Sequence, residues 1–156
     1  MNLQSPYHIE EVANGYRFTT DFDIVYELTF LLYPMVNTSK DYYVYMFNIE
    51  QVKKGKITKD DRIRITIEYV VGLFFQNNVN AILVIMDTID NKQEARLRLF
   101  KNWYRQHKGN HIEKYEAACQ TEYIQLFSML LIGTNNLYKS QVLEDYYDLI
   151  KINFYS

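Results

Sequence analysis

"DRIRITIEYVVGLFFQNNVNAILVIMD", residues Asp61 to Asp87, decides the fold. In its first half Ile63, Ile67, Val70, Val71 and Phe74 recur at the spacing of a single helix face. Thr58 followed three residues later by Asp61 is a variant capping box, so a helix is predicted from about Lys59 to Gln76. "NNVN" then stops it. "AILVIM", Ala81 to Met86, is a continuous apolar run without alternation, the pattern of a central strand covered on both faces. A helix that feeds such a strand must pack on the sheet the strand belongs to, and the rest of the chain is read outward from that unit.

Upstream, "YHIEEVANGYRFTT" (Tyr7 to Thr20) holds two alternating runs around Asn14-Gly15, a dipeptide that tolerates the positive φ of a tight hairpin turn. "DIVYELTFLLY" reads as a third strand ended by Pro34, and "DYYVYMFNIEQV" as a fourth, with "PMVNTSK" between them. Downstream, Asp90 with Gln93 caps a second helix running to about His107 and closed by Gly109-Asn110. "IEKYEAACQ" and "EYIQLFSMLLIG" then form a strand pair, and a last helix from about Tyr138 to Lys151 turns Val142, Tyr146, Leu149 and Ile150 inward. The expected class is α+β: an N-terminal antiparallel β-meander continuing into a mixed sheet, with about three helices packed on it. A single domain covering residues 1–156 is expected.

At 156 residues the chain has the usual size of one core, and 48% apolar with 23% charged residues is ordinary globular composition. A net charge of −2 gives no bulk attraction to a phosphate backbone, so a nucleic-acid partner is not expected. Cys119 is the one cysteine, which excludes an intrachain disulfide and fits a reducing compartment, with the thiol acting as a small buried apolar group. The N-terminus has no basic stretch leading into an apolar one, and no apolar run reaches membrane-spanning length, so a cytoplasmic location without membrane insertion is expected. Fifteen tyrosines and nine phenylalanines suit half-exposed sheet faces and the codon usage of an AT-rich genome.

On a wheel at about 100° per residue, Arg96 projects from the apolar face formed by Ala95, Leu97, Leu99, Phe100, Trp103 and Tyr104. A guanidinium there needs a carboxylate or a cleft, because burying it unpaired costs several kcal/mol. Asp87, at the end of the central strand, is the expected partner, with Asp90 or Glu68 as substitutes. The set is read either as a clamp between strand and helix or as an anion or metal site at the carboxyl end of the sheet, lined by Asp87, Thr88, Asp90, Lys92 and Arg96.

The pattern "DTIDNKQEARLRLFKNWY", with "YRFTT" at Tyr16 to Thr20 and "RIRITIEYVVGLFF" at Arg62 to Phe75, resembles a family of small bacterial proteins, mainly from Bacteroidota, catalogued as domain of unknown function 6169. The resemblance covers most of the chain. It implies a shared fold and no established activity, so it brings no catalytic residue with it.

Two functional classes follow. The first is a protein-interaction or regulatory module without catalytic activity or cofactor, whose partner is another protein or a second copy. Its candidate surfaces are Tyr42, Tyr43 and Tyr45, and the C-terminal "NFYS". The alternative is a metal-dependent nuclease of ribonuclease H-like layout, with Asp87, Glu68, Glu10 or Glu11, and Asp145 or Asp148 converging on two divalent ions. Against the nuclease, no basic substrate channel is evident. His107 and His111 are separated by Gly109-Asn110, which breaks the helix that would align them on one metal. Gly55, Gly72, Gly109 and Gly133 stand isolated, so no Gly-rich phosphate loop is present.

Overall fold

The computed structural model describes residues 4–33, 42–56, 59–87, 98, 101–106, 111–120 and 125–154. Among these residues seven strands, β1 (Glu10–Val12), β2 (Gly15–Thr19), β3 (Val25–Leu32), β4 (Tyr43–Lys53), β5 (Asn80–Asp87), β6 (Ile112–Gln120) and β7 (Gln125–Gly133), form one mixed sheet in the order β1-β2-β3-β4-β5-β7-β6. Among the described residues three helices accompany them: α1 (Asp61–Phe74), α2, described over residues 101–106, and α3 (Lys139–Phe154). The fold is α+β, as the residue pattern predicts. The chain gathers into two compact units, Met1–Leu31 with Phe47–Gln76, and Leu32–Met46 with Asn77–Ser156.

In the first unit β1, β2 and β3 are an antiparallel meander. The β1–β2 register pairs Val12 with Gly15, so Ala13 and Asn14 make the turn and Asn14 alone takes a positive φ, 63°. Gly15 is therefore not the turn residue that the Asn14-Gly15 reading made it. It is the first residue of β2, where an added Cβ would lie 1.8 Å from the Leu28 carbonyl oxygen, so only glycine lets β3 approach. Tyr26, Leu28 and Phe30 alternate inward along β3. Two groups of stacked rings form here: Phe18 packs on Tyr7 and Tyr26 at 5.8 and 5.2 Å, and Phe30 lies on Phe74 of α1 at 4.2 Å. That contact, with Ile67, Val70 and Val71 buried, seats the apolar stripe of α1 on the strands.

The start of α1 differs from expectation. Its N-cap is Asp60, in extended conformation, whose side chain accepts from the Arg62 amide at 3.1 Å. Thr58, half of the anticipated capping box, lies outside the described residues, as do Pro34 and the proposed cap Asp90.

In the second unit β5 runs parallel to β4 and antiparallel to β7, which pairs antiparallel with β6. Side chains alternate across this register. Val44, Ala81, Leu83, Leu130 and Ile132 meet Val142, Tyr146, Leu149 and Ile150 of α3, the four residues the helical spacing turned inward. The opposite face carries Ile82, Val84, Met129 and Leu131, all buried. Helix α2 covers that face, with Lys101 over the Phe127 ring at 5.5 Å and Tyr104 under Lys114 at 4.9 Å. Helices on both faces explain why β5 and β7 read as unbroken apolar runs. Asn136 ties the start of α3 to the sheet, donating to the Asn80 carbonyl at 3.2 Å and accepting from the Tyr138 amide at 2.8 Å.

Candidate functional site

Asp87 closes β5 opposite Leu126, as the sequence placed it. Its side chain, together with Asp90, Arg96, Thr88 and Lys92, lies outside the described residues, as do His107, the Cys119 side chain and the C-terminal Tyr155 and Ser156. Glu68 sits on α1, where Arg64 one turn earlier donates to both its carboxylate oxygens at 3.1 and 3.2 Å. Glu10 and Glu11 are exposed on β1, while Asp145 is buried on α3. Among the described residues no three His, Cys, Asp or Glu side chains come together as metal ligands. No described helix is long and apolar enough to cross a membrane.

Strand alternation separates the three tyrosines proposed as one surface. Tyr42 is 3% exposed, packed in the α3 core with its ring 6.0 Å from that of Tyr138. Its hydroxyl has no hydrogen-bond partner among the described residues. Tyr43 and Tyr45 pair with Asn80 and Ile82 and so lie on the other face, rings 6.2 Å apart, with Tyr43 exposed. Burial pushes the Tyr45 phenol pKa up, and the neighbouring Tyr43 adds to the shift.

Two polar constellations were not singled out from the sequence. The first pins the N-terminal segment to α1. Tyr7 donates its amide to Thr66 Oγ1 at 2.8 Å and its hydroxyl to Asp60, while Arg62 lies 3.9 Å over its ring. Arg62 also donates to the Ser5 carbonyl at 3.0 Å and to Asp21 at 3.1 Å. Burial and the Asp60 bond together raise the Tyr7 pKa. Each polar group in this cluster is answered by a neighbour in the chain, which is the chemistry of a fastening.

The second constellation lines β6, the strand at the end of the sheet order. Facing α3, Glu113 binds Lys139 at 3.0 Å and accepts from the Tyr115 hydroxyl at 3.2 Å. Burial, then the Glu113 charge, raises the Tyr115 pKa, and Lys139 opposes the shift. Facing α2, Lys114 and Glu116 form an ion pair at 3.1 Å along the strand. Among the described residues no further strand lies outside β6, whereas the opposite edge, β1, is three residues long. A second polypeptide can add to an edge strand only where its amides and carbonyls are unpaired, and Ala118 on β6 is already bonded. The sequence showed β6 as a strand. That it is an edge depends on β7 inserting between β5 and β6, which no local signal encodes.

The family model described as "Family of unknown function (DUF6169)" matches residues 59–148, from just before α1 into α3. No curated protein and no solved structure matches the chain.

Proposed function

The chain belongs to the DUF6169 family of unknown function, and from that premise we propose that it is a non-catalytic protein-interaction or regulatory module of the cytoplasm. The observation that carries the reading is β6, a nine-residue strand at the end of the sheet order bearing Glu113, Lys114, Tyr115 and Glu116, beside the half-exposed Tyr147 of α3. Edge backbone gives affinity and the alternating side chains give choice of partner. Tyr43, with Tyr45 beside it, is a secondary contact candidate. Asp87 and Arg96, with Asp90 or Glu68 in reserve, serve in this reading as a strand-to-helix clamp, an assignment that rests on the sequence pattern alone.

The test is capture from the source organism's extract, using purified chain and a variant carrying Lys114→Glu. A stoichiometric partner, or self-association, that the variant loses supports the reading. Failure of the wild type to retain any chain and to self-associate overturns it. So does chelator-sensitive cleavage of RNA or DNA in Mn²⁺ by the purified protein, which is the result the nuclease alternative requires.

A further inference from the structure

We propose that Asn14 is a site of spontaneous chemical modification, where the Gly15 nitrogen closes a succinimide on the Asn14 side chain and water reopens it as aspartate or isoaspartate. The folded hairpin sets the rate.

The chemistry asks for a free side-chain amide and an unshielded nitrogen one residue on. Asn14 is the one asparagine in the chain that glycine follows, and glycine has no side chain to crowd the attack. It is exposed at the tip of the two-residue turn between β1 and β2. Hydrogen bonds hold the side chains of Asn77, Asn102 and Asn136, whereas among the described residues none holds that of Asn14. Its amide is therefore free to rotate toward the Gly15 nitrogen.

The step balances with water and hydroxide alone. Hydroxide removes the Gly15 amide proton, the nitrogen bonds to Asn14 Cγ, and the Cγ–Nδ2 bond breaks to release ammonia, which takes its third proton from water. Water then opens the ring. Breaking the new bond to Cγ leaves aspartate on the original main chain. Breaking the bond to the Asn14 main-chain carbonyl carbon leaves isoaspartate, with the main chain longer by the Cβ methylene.

What restrains the reaction is the hydrogen bond that the Phe30 amide donates to the Asn14 carbonyl at 2.8 Å. That bond fixes the plane of the Asn14–Gly15 peptide, and the pairing of Gly15 with Val12 and Thr29 fixes its far end. The nitrogen reaches Cγ only when the peptide turns out of this plane, so the reaction proceeds from a locally opened hairpin. The fold also distinguishes the two products. Aspartate tolerates the positive φ of 63° as asparagine does. Isoaspartate lengthens the turn against Gly15, which has no room to move toward the Leu28 carbonyl, and so it unpairs β1 from β2.

The experiment incubates the full chain in mildly alkaline buffer, folded and in urea, and follows it by anion exchange and peptide mass mapping. Asn14→Gly and Asn14→Asp, both compatible with positive φ, are carried alongside. A more acidic species is expected to accumulate, to map to Asn14 and to be missing from Asn14→Gly. It should form about tenfold or more slowly in the folded chain than in urea, the factor by which local opening is rare. The aspartyl product should unfold at the urea midpoint of Asn14→Asp, and the isoaspartyl product at a lower one. Mapping on the wild type decides the site even where a variant fails to fold. A folded chain whose Asn14 stays intact through many half-times of the unfolded reaction overturns the inference, as does an acidic product that maps to another asparagine. Equal rates in the folded and unfolded chains overturn the control assigned to the hairpin and the inference with it.

Discussion

Inside the α3 core, Ser128 and Tyr146 are 2% and 0% exposed, and their hydroxyls meet at 2.8 Å. Neither group reaches water, and besides Tyr146 the Ser128 hydroxyl has a long 3.5 Å bond to the Ala117 carbonyl, so each depends chiefly on the other. Removing one partner leaves a buried polar atom unanswered, at a cost of about 1–3 kcal/mol, whereas removing both restores an apolar core. Ser128→Ala and Tyr146→Phe are each expected to lower unfolding free energy in urea. The double variant should lose clearly less than the sum, with a coupling of about 1 kcal/mol. Additive losses would mean that the two hydroxyls do not satisfy each other.

At the scale of elements, α1 is set by its first turn. Asp60 caps the helix through the Arg62 amide and receives the Tyr7 hydroxyl, so one carboxylate holds both the helix end and the N-terminal segment. Asp60→Ala should cost about 2 kcal/mol by chemical denaturation, the cap contributing about 1 and the lost Tyr7 acceptor the rest. Asp60→Asn keeps an oxygen for the amide and is expected to recover roughly half of that. Periodicity made the elements legible because it reports burial: the stripe of α1, the alternation of β3 and the unbroken runs of β5 and β7 each follow from how many faces are covered. Two local details escaped it. Gly15 signals a turn by composition, yet it is needed for the approach of the Leu28 carbonyl, a contact set by the strand after it. Tyr42 and Tyr43 are adjacent in sequence and indistinguishable in kind, and the pairing of β4 with β5 sends them to opposite faces. The β6 edge was illegible for a topological reason, since strand order is settled by long-range pairing.

For the whole molecule, tyrosine makes alkaline pH the informative perturbation. The phenols of Tyr7, Tyr115 and Tyr146 all have pKa values raised first by burial, because a phenolate in the protein loses its hydration. For Tyr146 the Ser128 hydrogen bond opposes the shift without cancelling it. Below the unfolded phenol pKa of about 10 these groups are protonated in both states, and their contribution to stability is fully present. As pH climbs past that value the unfolded chain releases protons that the folded chain retains, so stability falls progressively until the folded pKa values are reached. The maximum slope is about 1.4 kcal/mol per pH unit for each retained proton. Urea unfolding followed from pH 8 to 11 (a window of about three units around the unfolded phenol value) should therefore show a midpoint that declines above about pH 10. Tyr146→Phe, whatever it costs at neutral pH, should make that decline shallower by up to one proton's slope. An unchanged slope in the variant would show that the Tyr146 phenol ionises as readily in the folded core as in the unfolded chain, and so that the core packed beneath α3 admits water.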